Sequence, residues 1–366
     1  MIFSRFLTFG WVYFRKSSVK LVISLLLLVF GLEIGGRLFI TNSWVLATTS
    51  NISSLNWQLK WEKANLGGAA TAYSIDVFDS LLGWVPKKSS QIQSWSDNLV
   101  TFSEAGYRGS QVYQIPKPAD KLRIVVLGDS FTFGEEVEDF ETYPAYLEQL
   151  IPNSEVINFG VHGYGLDQML LRLQQVGLSY QPDIVIFAFI NDDLNRALLS
   201  FRDYQKPKFQ LISNKLVITN YPLLEPNLFR KKTLFRSNFL TALNLLRERI
   251  DYKVYPQSQI EDLAMAIWQE AEALTQSQNA KFVMLFLPTG DEMVNQQTRQ
   301  VYTEDVMAKY CPNRQIKCLS ARKYTTQAAG QGTIFNLKRH YEPQTHQIIA
   351  KGLATDLQEV IANNQP

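Results

Sequence analysis

The chain of 366 residues is 46% hydrophobic and 19% charged, a globular balance that excludes a wholly disordered polymer. Its formal net charge is +2, yet Arg5, Arg15, Lys16 and Lys20 stand in the first twenty residues with no acid among them, so the rest of the chain is slightly acidic and a nucleic-acid surface is not expected. Two cysteines, Cys311 and Cys318, exclude a disulfide framework or a four-cysteine zinc site, and histidine chemistry is confined to His162, His340 and His346.

The first element is an apolar run. Residues 19–32 read VKLVISLLLLVFGL with Lys20 as the only charge, and apolar character resumes at Ile34 and Leu38. A helix over 21–40 measures about 30 Å, one hydrocarbon thickness. Glu33 and Arg37, four apart with the acid first, can pair on one face of its far end, where arginine snorkels. The expectation is a signal-anchor helix over 19–40, with residues 1–18 cytoplasmic and everything beyond it periplasmic or at the cell surface, because the basic residues precede the span. A signal peptide cleaved near Val45-Leu46-Ala47 and a buried globular helix are the competing readings. In that compartment Cys311 and Cys318 can close a short disulfide, the alternative being two unpaired thiols.

Residues 41–120 read as an irregular, aromatic-rich preamble. Gly83-Trp84 and Gly106-Tyr107-Arg108-Gly109 are turn-like, and Pro116 and Pro118 read as a linker into the next segment. From residue 121 the pattern becomes α/β. Short apolar runs at 123–127, 155–159, 183–190, 281–287 and 316–319 suit strands of a parallel sheet covered on both faces. Helical stripes lie between them. The clearest runs over 258–277, where Ser258 and Glu261 have capping-box spacing, and a last helix spans about 345–362. Residues 194–257 exceed what a minimal sheet needs: 209–211 and 216–218 form a hairpin pattern, and Arg230-Lys231-Lys232 is a small basic cluster. This alternation predicts a doubly wound sheet with ligands at the carboxyl ends of its strands.

Chemistry-bearing residues gather at those ends. Gly128-Asp129-Ser130-Phe131-Thr132-Phe133-Gly134 follows the first strand, Asn158-Phe159-Gly160-Val161-His162-Gly163-Tyr164-Gly165 the second, and Ile190-Asn191-Asp192-Asp193 the third; His340 precedes the last helix. Asp129 suits fixing the turn before Ser130, and His162 suits either lining the cleft or a local polar contact. Asp192 and Asp193 lack the companions of a metal site, and Gly128 with Gly134 makes neither a GxGxxG nor a Walker pattern, so no metal, cofactor or nucleotide is expected.

Serine, glycine, asparagine and histidine in this order resemble the SGNH (GDSL-type) hydrolase superfamily over about 122–360, and Gly83-Trp84 with Gly106-Tyr107-Arg108-Gly109 resembles the preamble of membrane-anchored bacterial members. The resemblance implies a flavodoxin-like, three-layer α/β/α fold with about five parallel strands. It implies Ser130 as nucleophile and His340 as general base, with an oxyanion hole from the N–H groups of Ser130 and Gly163 and the Asn191 amide. One position departs: the family's Asp three residues before the catalytic His is here Leu337. Three accounts stand open: Asn336 or a backbone carbonyl orients His340, a distant acid such as Glu342 or Asp193 reaches in, or the site is disabled. The implied function is a membrane-anchored esterase or O-acyl (acetyl) transferase acting on an envelope carbohydrate or lipid ester. The alternative is an impaired scaffold that binds an envelope polysaccharide or a partner.

Overall fold

The computed structural model describes residues 3–48, 53–64, 75–94, 97–233, 235–250, 256–295, 302–312, 314 and 316–362. The side chains of Arg5, Arg15 and Lys16 lie outside the described residues. Helix α1 (Phe3–Thr41) contains the apolar segment Val19–Thr41, of mean hydropathy 2.1. Its leucines are mostly exposed, Leu26 and Leu27 by about two thirds, so the segment is not the core helix of a globular domain. Glu33 does not pair with Arg37 as expected. It accepts hydrogen bonds from the Ser237 hydroxyl and the Asn238 N–H, because a distant helix start packs beside it.

Short helices α2 (Ser43–Thr48) and α3 (Ser54–Ala64) follow, and then the preamble departs from the irregular structure expected of it. It forms two antiparallel hairpins, β1 (Asp76–Asp79) with β2 (Gly83–Pro86) and β3 (Ser90–Gln93) with β4 (Leu99–Phe102). Its aromatic residues explain the order: Trp84 is fully buried, its indole N–H donates to the His162 carbonyl, and its own carbonyl accepts the Tyr164 hydroxyl. The alternation needed to recognise these strands is too short to stand out in sequence.

The remainder is α/β: β5 (Leu122–Leu127), α4 (Ser130–Phe133), α5 (Tyr143–Leu150), β6 (Ser154–Asn158), α6 (Leu166–Gln175), β7 (Ile184–Phe189) and α7 (Asn191–Arg196). The 194–257 segment adds the hairpin β8 (Lys208–Ile212) and β9 (Lys215–Thr219), then α8 (Pro226–Thr233) and α9 (Asn238–Ile250). The fold closes with α10 (Gln257–Ser277), β10 (Lys281–Phe286), α11 (Tyr302–Tyr310), β11 (Lys317–Ser320), α12 (Arg322–Gly330) and α13 (Pro343–Ala362). The capping box expected at Ser258 does not form. Pro256 precedes the first turn of α10, and Glu261 pairs with Lys309 instead.

Five parallel strands make the central sheet in the order β11-β10-β7-β5-β6. Val125 and Leu127 of β5 face a core shared with Leu170 of α6 and Ile267 and Trp268 of α10. Ile124 and Val126 face the opposite core, with Leu147 of α5 and Leu353 and Leu357 of α13. Burial on both faces is why each strand reads as an unbroken apolar run. The strand order reverses between β5 and β7, and their carboxyl ends open the crevice there. Cys311 and Cys318 form a disulfide that ties the end of α11 to edge strand β11.

Candidate active site

Strand β5 delivers Gly128-Asp129 to the crevice, where the chain turns straight into α4. A Cβ on Gly128 would fall inside the Thr132 side chain, so the turn tolerates glycine only. Asp129, fully buried, caps α4 by accepting the Phe131 N–H at 3.0 Å, and its other oxygen meets Arg196 at 3.0 Å. Ser130 therefore sits at the start of α4 with its hydroxyl facing a cleft of about 280 Å³, lined by Phe131, Glu135, Gly163, Arg202 and His340 among others.

Across that cleft His340, 210 residues away in sequence, places Nε2 2.9 Å from Ser130 Oγ. The Phe131 ring lies 4.7 Å from the imidazole, centroid to centroid, and fixes its plane. Two carboxylates flank the ring. Glu135 Oε2 is 2.8 Å from Nε2, and Glu136 Oε1 is 3.7 Å from Nδ1. Neither Asn336, Glu342 nor Asp193 fills this position. The Asn336 side chain holds the Lys338 N–H and reaches Glu342, while Asp193 is fully buried against Arg196 and the Ile190 N–H. The carboxylates near the ring come instead from the segment just after Ser130. Gly134, at φ +80°, turns the chain back after a single helical turn and brings residues 135 and 136 beneath His340. The signal was in the sequence as two adjacent acids directly after Gly134.

Arg108, from the turn-like preamble motif, holds that return in place. Its guanidinium donates to the carbonyls of Phe133, Gly134 and Val137 and to Asp139, and it stacks over the Phe133 ring. A motif with no chemistry of its own thus braces the segment that carries the acids.

Charge and burial set the protonation of the ring. Burial disfavours the His340 imidazolium, but the hydrogen bond and charge of Glu135 outweigh it, so its pKa lies above the ordinary histidine value. Burial acts on Glu135 in the opposite sense, and His340 again prevails: the carboxyl is held below its usual range. His162 does not line the cleft. It is buried, with Nε2 2.6 Å from Asp76 Oδ2 of β1, and that carboxylate raises its pKa despite the burial. His346 is no alternative base: burial drives its pKa down to about 3, and its Nδ1 accepts the Tyr143 N–H at 3.1 Å.

The residues expected to form an oxyanion hole fall in two groups. Gly163, at φ +73°, lies on the cleft wall with Ser130, and Arg202 and Asp203 pack so closely over it that a Cβ would overlap them. The Asn191 carboxamide oxygen accepts the Thr303 hydroxyl, and the cleft wall beside it is formed by its neighbours Ile190 and Asp192. Its side chain is held toward α11, because Asn191 opens α7 and Thr303 lies in the first turn of α11. Among the described residues no cluster of three metal-ligating side chains occurs.

The model of the GDSL-like lipase/acylhydrolase family matches residues 124–353, well over half of the chain, from β5 through the middle of α13. The chain belongs to that family. Solved structures similar to it include a GDSL-family lipolytic protein from Veillonella parvula, 12% identical, covering 66% of this chain and 98% of its own with a TM-score of 0.40. A putative GDSL-family lipolytic protein from Desulfitobacterium hafniense is 14% identical, covering 65% and 100%, with a TM-score of 0.41. A mutant of Axe2, an acetyl-xylooligosaccharide esterase from Geobacillus stearothermophilus, is 14% identical, covering 66% and 97%, with a TM-score of 0.40. No curated protein matches the sequence.

Proposed function

We propose that this GDSL-family protein is a membrane-anchored serine esterase or O-acyl (acetyl) transferase that works outside the cytoplasm on an ester-bearing carbohydrate or lipid of the cell envelope. The observation that carries the chemistry is the 2.9 Å approach of His340 Nε2 to Ser130 Oγ across the family's cleft. Ser130 Oγ attacks the acyl carbon while its proton passes to Nε2; the imidazolium then gives that proton to the departing alkoxide, leaving an acyl-serine that water or a sugar hydroxyl opens. The N–H groups of Ser130 and Gly163, with the Asn191 carboxamide whose oxygen is occupied by Thr303 and whose N–H groups remain donors, receive the oxyanion, a contribution that typically amounts to about 10²–10³ in rate per donor. Glu136 beside Nδ1 favours the tautomer with its proton there and leaves Nε2 able to accept. Glu135, which shares the Nε2 side of the ring with Ser130, stabilises the imidazolium once formed; the family's missing Asp at Leu337 would instead orient the ring from Nδ1.

The location rests on three supports: the exposed apolar segment Val19–Thr41, the basic residues that precede it, and a disulfide, which persists in oxidising compartments. Purified protein is expected to release p-nitrophenol from its acetate ester and to take a fluorophosphonate label that Ser130→Ala abolishes. Labelling that survives Ser130→Ala, or no labelling where a control serine esterase reacts, would overturn the reading in favour of a scaffold that binds its ligand without turning it over.

A further inference from the structure

The 194–257 segment is not needed for the sheet, and its second half does not lie near the cleft. Helix α9 packs along the outer end of α1. Its first turn supplies the partners of Glu33: the Ser237 hydroxyl, the Asn238 N–H at 2.7 Å and the Asn238 amide at 3.2 Å. Gly36 lets the helices touch, since a Cβ there would meet the Asn238 backbone at 2.6 Å. Further along, Leu245 shares a small core with Ile40. The two helices therefore run side by side in the same direction, from Glu33 against residue 238 to Ile40 against residue 245.

That register sets a depth. Glu33 lies eight residues inside the end of the apolar segment at Thr41, about 12 Å along a helix axis. The start of α9 must share that depth. Leu240, Leu243 and Leu246 of α9 are 58%, 45% and 38% exposed, interleaved with the exposed polar residues Asn244 and Arg247. The corner before it shows Phe235, 95% exposed, with exposed Lys231 and Lys232 at the end of α8. Exposed leucines interleaved with polar side chains beside the outer end of the span, with lysines whose stems can snorkel next to them, make an amphipathic face suited to the interfacial region of an anionic bilayer. Nor is α9 loosely attached: Arg236 pairs with Glu62 of α3 at 2.8 Å, and Trp61 of α3 packs in the main core.

We propose that α9 and the α8–α9 corner form a second membrane-contacting element, which sinks into the outer half of the bilayer beside α1 and seats the catalytic domain on the lipid surface. The proposal rests on the tether reading above. Since Cys311 and Cys318 are disulfide-bonded, single cysteines at Leu27, Leu240, Phe235 and Lys351 can be labelled with a fluorophore in the full chain. The labelled chain is placed in vesicles of phosphatidylethanolamine and phosphatidylglycerol, and circular dichroism confirms folding of each variant. Brominated acyl chains are expected to quench the Leu27, Leu240 and Phe235 probes and leave that at Lys351 bright, while aqueous iodide does the reverse. Quenching by lipid at Leu27 with iodide quenching at Leu240 and Phe235 would overturn the docking element and leave the tether standing. Shielding of Leu240 from both quenchers would assign the face to a protein partner or a second copy, also overturning it. A Leu27 probe untouched by lipid would remove the tether and the docking element together.

Discussion

His340 is defined less by its serine than by the acids around it. In the proposed mechanism His340 must be neutral to take a proton, so kcat/KM should rise with pH to a plateau whose midpoint lies above the ordinary histidine value, where Glu135 holds it. Glu135→Gln removes that hold and leaves burial, which acts downward. The midpoint should then move to lower pH while the plateau falls, by less than the roughly 10⁴ found when the acid behind a triad histidine is neutralised, because Glu135 meets Nε2 rather than Nδ1. A pH–rate profile in which the plateau drops but the midpoint stays would reduce Glu135 to a packing role. The same linkage has a sign for stability: a raised histidine pKa favours the fold fully below about pH 6.5 and is lost as pH climbs through the folded value.

At the scale of elements, the inserted segment is bonded to the core by a buried ion pair. Lys206, before β8, meets Asp167 of α6, both fully buried, and donates also to the carbonyls of Leu199 and Pro207. Burial and the paired carboxylate oppose each other at the ammonium, and burial is the larger effect. Lys206→Met strips the partner and leaves a buried carboxylate, so the variant should lose about 3–5 kcal/mol in urea unfolding. Lys206→Met combined with Asp167→Leu should recover much of it. Failure of the double variant to recover would mean that the backbone contacts, rather than the charges, hold the insertion.

The molecule as a whole carries an acid-sensitive joint where α13 meets α5. His346 stays neutral down to about pH 3 in the fold, whereas an unfolded chain protonates it near about pH 6.5. Between those values the unfolded state binds the extra proton, so stability rises with pH across the window and falls as pH drops through it. Chemical denaturation from about pH 7 to about pH 4 should show this loss, and His346→Gln should flatten its slope whatever it does to the midpoint. An unchanged slope would place the acid sensitivity elsewhere, with the buried carboxylates as first candidates.

Periodicity and apolar runs alone located the five parallel strands, the β8–β9 hairpin, α10 and α13, and the unbroken leucines of α1, because burial on both sheet faces or around a whole helix writes itself into local composition. Ser130 and His340 were also legible, since the family's spacing around strand ends is a local pattern. The acids beside His340 were not. Glu135 and Glu136 stand beside the serine in sequence, but only the turn at Gly134, braced by Arg108, and the return of the chain toward α13 bring them under the ring. The expected Glu33–Arg37 pair, the Ser258 capping box and the irregular preamble gave way for the same reason. Each was a local solution open to a short segment, and each was displaced by tertiary contacts: a distant helix start beside Glu33, Lys309 beside Glu261, and Trp84 buried against residues 162–164.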